Sequence, residues 1–294
     1  MSNRFVTIAA EGLTAVISPA GAELWSIRDR AGREWMTDAD PRWWTGHAPL
    51  LFPFVGRSRG DVYRIDGVEY PMAQHGFARR RDFAVGERAD DAVTFRLEAD
   101  AESRAVYPFD FRLDMAFAIE GNGLRMTATI ANMGTAAMPF SFGYHPAFAW
   151  PLPFGGALED HRIVFEREEP APIRRVGAEP GLIAHDRISS PVMGDTLAPM
   201  HAMFEGDALI WDELESRSLL WGVPGQERLK IDFPDTPWLG LWQKPGARYL
   251  CVEPWAGMAD LEGFAGDVWG KQGIMRLESG DSRSFRMDVN LVDA

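Results

Sequence analysis

The chain holds one cysteine, Cys251, in 294 residues. A single thiol excludes an internal disulfide and fits a reducing compartment, so a cytoplasmic location is expected. No apolar run approaches the length needed to span a bilayer. The N-terminal stretch MSNRFVTIAAEGL has neither the basic start nor the long apolar segment of a secretory signal. Positive charge is scarce too: 30 Lys and Arg against 43 Asp and Glu give a formal net charge of -13. Nucleic acid and anionic membrane both demand a basic footprint, so neither is an expected partner. The six histidines are scattered without H-x-H or H-E-x-x-H spacing. With only one thiol available for a thiolate zinc site, no metal is expected. A G-x-S-x-G elbow is absent, and EGNGLR is turn chemistry rather than a phosphate loop, so no cofactor is implied. Nor does any segment show a sustained helical period with caps at both ends.

What remains is abundant strand signal around a large core. Hydrophobic residues make up 46% of the chain, with 11 Trp and 18 Phe. Aromatics are ordinary core residues, though Trp is also a natural platform for the C–H face of a sugar. Alternating or β-branched runs cover Phe5 to Ala9, Leu13 to Ser18, Val93 to Leu97, Ile163 to Glu166, Ala208 to Trp211, Ser218 to Trp221, Leu229 to Phe233, Leu239 to Gln243 and Tyr249 to Pro254. GAELWSIRDRAGREWM reads as strand, turn, strand. Hairpins are expected around Asp66-Gly67, Gly121-Asn122-Gly123 and Ser279-Gly280-Asp281. Residues 151–199, rich in Pro, Gly and charge, read as a long irregular excursion. The pattern predicts an all-β fold, a large antiparallel β-sandwich, with residues 1–294 as a single domain.

Two strands carry the chemistry. In FSFGYHPAF, Phe140, Phe142 and Tyr144 share one face, while Ser141, Gly143 and His145 share the other. In RYLCVEPWAG, Leu250 and Val252 look like core, which turns Tyr249, Cys251 and Glu253 to the opposite side. Proline follows each titratable group, at Pro146 and Pro254, and proline cannot continue a central ladder. Each group is therefore expected at a strand end, where clefts open; a hydrogen-bonded core histidine and a surface glutamate are the bland alternative. Two basic islands, Arg57 with Arg59 and His75 with Arg79, Arg80 and Arg81, could meet hydroxyls or an anion. For Arg80 and Arg81 a solvated face is the better reading. Asp212, Glu213 and Glu215 form an acidic patch that a solvated turn explains as well as a carboxylate site does. Cys251 reads as a packing residue.

LFPFVGRSRGD, HGFARRRDF, FSFGYHPAF and YLCVEPWAG, in that order, resemble the aldose 1-epimerase (galactose mutarotase-like) family, and more closely its LacX-like branch. The resemblance implies a large β-sandwich and cofactor-independent interconversion of α and β sugar anomers. It implies His145 as general acid and Glu253 as general base, with Arg57, His75 and Asp207 around the sugar and Asp212 a second candidate aspartate; Arg79, from the second basic island, is a further candidate for binding the substrate. Ordinary pKa values near 4.3 for Glu and 6.5 for His suit an ionised base and a proton donor. Gly143 would keep the approach to His145 clear. Three readings follow: mutarotation of a neutral hexose, mutarotation of a hexose phosphate held by arginines, or sugar binding without catalysis on the same fold. The expected partner is a small-molecule sugar or sugar phosphate, with a monomer or homodimer as the assembly.

Overall fold

Every second side chain of the strand Phe111–Glu120 is buried. Its neighbour Gly123–Asn132 runs back antiparallel with Glu120 opposite Gly123. The turn is therefore only Gly121-Asn122, Gly123 already belonging to the strand, and Gly121 takes a φ of 59° that suits glycine. The same logic, repeated, makes the fold. In this computed structural model, which describes residues 5–293, the helical exception is short. Asp100 and Ser103 form a reciprocal cap on the helix Ala101–Val106, a six-residue element too short to show a helical period.

Two large sheets dominate. The nine-stranded sheet runs in the order Thr196–Leu197, Arg162–Phe165, Ser218–Gly222, Arg228–Asp232, Ser282–Val292, Gly123–Asn132, Phe111–Glu120, Ala92–Glu98, Ala84–Arg88. The second runs Ile183–Ile188, Ile173–Val176, Leu209–Trp211, Trp238–Trp242, Tyr249–Ala256, Phe142–Tyr144, Leu50–Leu51, with Ala147–Ala149 also paired to Tyr249–Ala256. A three-stranded sheet, Val6–Ala10, Leu13–Ser18 and Glu23–Arg28, begins the described chain. All the strand pairings within these sheets are antiparallel, as the sequence predicts.

Several local readings need correction. Residues 151–199 are not an irregular excursion; they contribute strands to both large sheets. The expected hairpin around Ser279-Gly280-Asp281 is a turn between unpaired neighbours. Met275–Leu277 pairs with Met138–Phe140 instead, while Ser282–Val292 pairs with Gly123–Asn132 and, over residues 288–292, with Arg228–Asp232. After Glu23–Arg28, residues 34–36 make only isolated bridges, Arg28 with Glu34 and Met36 with Phe148, rather than a second strand.

The main core draws on residues from Val6 to Val289 and includes Phe140, Phe142, Tyr144, Leu250 and Val252. Tyr249 and Cys251 belong to a separate small cluster with Ala147, and Trp255 to another with Leu51 and Met258. The strand Tyr249–Ala256 thus sends alternate side chains to two different interiors, one under the sheet and one above it. Tyr144 fastens the arrangement. Its hydroxyl accepts the Ala128 N–H at 3.1 Å and donates to the Phe285 carbonyl at 2.8 Å. Ala128 and Phe285 are themselves partners in the other large sheet, so this phenol joins the two layers at a ladder position.

Candidate active site

Pairing alone brings the two titratable groups together. Gly143 stands opposite Trp255, and Ala147 stands opposite Cys251. One register runs through both short ladders, so His145, midway, falls opposite Glu253. Val252 donates its N–H to the Pro146 carbonyl at 3.1 Å, and Pro146 has no N–H with which to return the bond. Pro254 likewise has none. The ladder therefore opens around the His145–Glu253 pair. The strand itself does not end there: Pro254 lies inside Tyr249–Ala256, contrary to the strand end expected from the sequence.

His145 Nε2 and Glu253 Oε2 lie 3.2 Å apart, with side chains 8% and 2% exposed. Burial is the largest influence on both. It pushes the imidazole down to about 3, with the nearby Arg79 charge acting the same way. It pushes the Glu253 carboxyl well up, with the negative charge of Asp207 adding and the Trp255 indole opposing. Burial therefore pushes both groups toward their neutral forms. This works against the ionised base and protonated acid expected from ordinary pKa values. The proton count nevertheless equals that of a carboxylate beside an imidazolium, so one proton transfer along the contact interconverts the two. His145 Nδ1 is buried without a partner.

The pair lies in the wall of a cavity of ≈ 230 Å³. Trp44, Trp242 and Trp255 share its apolar surface with aliphatic residues such as Val55, Ile183 and Ile210, while Gln74, His75, Arg79 and Asp207 complete the polar part. The Trp44 ring lies 5.1 Å from the His145 ring, and Trp242 meets Trp44 edge-on at 5.5 Å. These tryptophans were not singled out by the sequence reading. Trp255 directly follows the EPW proline, which was a usable signal; Trp44 lies in a loop with none. Gly143 serves a purpose other than the one expected. A Cβ there would sit 2.6 Å from Trp255 Cδ1, and one at Gly240 would sit 2.5 Å from the same indole. The two glycines thus make the bed on which Trp255 lies.

His75 is held in a left-handed backbone conformation, φ 64°, which is uncommon outside glycine. Its own N–H donates to the Gly56 carbonyl at 2.7 Å, and its Nδ1 accepts the Gly56 N–H at 3.1 Å. The ring proton is therefore on Nε2, where the Gln74 side-chain amide lies 3.3 Å away. Burial, then the charges of His145, Arg79 and Arg80, keep His75 neutral by pulling its pKa well down. The next residue has to be glycine: at Gly76, φ 69°, a Cβ would lie 2.1 Å from the Phe52 carbonyl oxygen.

Among the described residues, Arg79 is the one arginine that lines the cavity, and its guanidinium has no hydrogen-bond or ion-pair partner there. Arg57, expected at the sugar site, is committed elsewhere: Nη2 lies 2.6 Å from Asp61 Oδ2, and Nη1 donates to the Pro180 carbonyl at 3.0 Å. It packs behind Gly181, which does face the cavity. Arg59 pairs with Glu179, Arg81 with Asp100 and Glu102, and Arg80 donates to the Gly76 carbonyl. Asp207 lines the cavity with φ 71°. Asp212 is buried between Arg174 Nε at 2.6 Å and Arg187 Nη2 at 2.8 Å, outside the cavity wall. Glu213 pairs with the same Arg187. Of the two candidate aspartates, Asp207 is the one that lines the cavity with the His145–Glu253 pair. Cys251 packs behind that pair on the same strand face, fully buried.

A large antiparallel sandwich with a histidine–carboxylate pair in an aromatic cleft defines a class, and the comparisons say which. Residues 4–184 match the family model described as aldose 1-epimerase. The Lactococcus lactis LacX proteins, plasmid and chromosomal, are 33% and 32% identical over 86% of this chain and 88% of their own. A galactose mutarotase-like protein from Lactobacillus casei superposes with a TM-score of 0.91 at 32% identity, over 98% of this chain and 100% of that one. A galactose mutarotase related enzyme from Lactobacillus acidophilus gives 0.89 at 30% identity, over 99% and 98%. The chain belongs to the aldose 1-epimerase family, and isomerase-type chemistry on a sugar is what that family implies.

Proposed function

We propose that the protein is a mutarotase acting on a neutral hexose, with Glu253 as base and His145 as acid. The observation that carries this reading is the 3.2 Å contact between His145 Nε2 and Glu253 Oε2 in the wall of a cavity lined by tryptophans. Mutarotation needs one proton removed from the C1 hydroxyl and one delivered to the ring oxygen. The C1–O5 bond breaks, the open aldehyde rotates about C1–C2, and the reverse transfers close the other anomer. The pair holds one proton that can sit on either partner. Moving it from Glu253 to His145 produces the armed state, and a sugar that places C1–OH and O5 between them stabilises that state through its own dipoles. Asp207 and Gln74 offer partners for the other hydroxyls. Trp44 and Trp242 offer apolar faces for the ring C–H groups.

General acid and general base each contribute roughly 10²–10⁴ in rate. His145→Asn and Glu253→Gln are therefore each expected to slow anomer exchange by about 10²–10⁴, measured by NMR magnetisation transfer on glucose or galactose. Exchange at the wild-type rate in either variant would remove the assignment. The hexose-phosphate reading rests on Arg79, since Arg57, Arg59, Arg80 and Arg81 are committed to carboxylates or carbonyls. Exchange on glucose 6-phosphate much faster than on glucose, and lost in Arg79→Ala, would favour it. Sugar binding without exchange would favour a binding protein. A cytoplasmic location fits a reducing environment for Cys251; among the described residues no helix is long and apolar enough to cross a membrane.

A further inference from the structure

His145, Cys251 and Glu253 are the one trio of potential metal ligands of its kind among the described residues, and their donor atoms all lie within 4.8 Å of one another. Sequence spacing hides the trio, because the fold, not a motif, places His145 across a ladder from the strand carrying the other two. We infer that this trio is a binding site for a thiophilic divalent cation of the Zn²⁺ class, and that occupancy blocks the acid–base pair. The metal arm stands by itself; the inhibition arm rests on the proposed mutarotation.

The donor geometry fits. A ring nitrogen of His145, the Cys251 sulfur and a Glu253 carboxylate oxygen all lie within 4.8 Å of one another, so an ion central to them lies within about 2.8 Å of each. Zinc takes thiolate at about 2.3 Å and imidazole or carboxylate at about 2.0–2.2 Å, so an inward contraction of the three side chains by about half an ångström or more completes the site. Imidazole, thiolate and carboxylate together carry two negative charges, which cancel those of the ion in a buried place where a net charge would be costly. The thiolate gives the site its preference for soft over hard cations. Three protein ligands leave a fourth position, toward the cavity, for water. Asp207 adds favourable potential from one side of the cavity, and Arg79 opposes it from another. Binding displaces the thiol proton and the proton shared by the pair, and forms three coordinate bonds in their place. His145 and Glu253 can then no longer exchange a proton with a sugar.

Titration of the full chain with Co²⁺ tests the site directly. One equivalent is expected to produce a near-ultraviolet thiolate-to-cobalt band, displaced by Zn²⁺. Cys251→Ala is expected to lose that band and to weaken Zn²⁺ binding at least tenfold, while keeping anomer exchange and losing its sensitivity to Zn²⁺. Should the alanine variant fail to fold, Cys251→Ser keeps the volume and is expected to lose the band as well. Absence of the band in the wild type, or equal Zn²⁺ affinity with and without the thiol, overturns the proposal. So does equal inhibition of wild type and the cysteine variant. A wild-type chain that binds cobalt through sulfur yet exchanges no anomers leaves the site standing and sinks the mutarotase reading instead.

Discussion

Glu253 carries a cost that its neighbours do not remove. Its folded-state pKa is raised by burial, so the folded chain holds a proton that the unfolded chain releases near the ordinary carboxylate range. Stability from this group is fully present below about pH 4.5 and is lost as pH rises toward the folded value, at up to about 1.4 kcal/mol per pH unit. Glu253→Gln has no such titration. The variant is expected to gain on the wild type in Tm between pH 5 and pH 8, even as it loses exchange. His145 acts with the opposite sign. Its pKa is pushed down to about 3, so its contribution is lost as pH falls below about 6.5, in wild type and variant alike. A Tm difference that stays flat with pH would show that Glu253 is ionised in the folded protein.

Elements differ in how they hold the site. The loop bearing Trp44 has no regular secondary structure, and Glu23 anchors its end. Glu23 Oε1 accepts the His47 N–H at 2.7 Å and the Ala48 N–H at 2.9 Å, while the His47 ring stacks on Trp25. Glu23→Ala leaves two donors unmet and is expected to cost about 2 kcal/mol. It should also raise KM more than it lowers kcat, because the loop carries an aromatic wall rather than the reacting groups. An equal fall in kcat with KM unchanged would place the loop in the chemistry itself. The same contrast explains what could be read from sequence. Leu250, Val252 and Glu253 fall on the faces that alternation assigns, because a two-sided strand writes its burial into every second letter. Met275–Leu277 finds a distant partner instead of its neighbour, and Arg57 turns to Asp61. Both outcomes depend on which edges and which carboxylates are nearby in space. Periodicity carries no such information. The reciprocal cap at Asp100 and Ser103 was written in the sequence, but on a helix too short to show a period. Trp44, on a loop, leaves no periodic trace.

Across the whole molecule, the two large sheets are joined where it matters for the site. Tyr144 is buried with its hydroxyl between Ala128 and Phe285 of the opposite sheet, and the next residue is His145. Tyr144→Phe would leave a buried N–H and a buried carbonyl without that partner, at an expected cost of roughly 2–4 kcal/mol. Slower exchange is expected to accompany the lower Tm, since the phenol sets the depth of the strand that presents His145. A destabilised variant with unchanged kcat would separate layer packing from site geometry.

The shared register of Gly143–Trp255 and Ala147–Cys251 has a broader implication. Flanking rungs of two in-register ladders set His145 opposite Glu253, so no hinge or lid has to bring them together. Roofing loops are then free to diverge, reshaping the rim of the cavity while the His145–Glu253 pair stays put. An architecture divided in this way can acquire new selectivity by changing its rim, without rebuilding its floor.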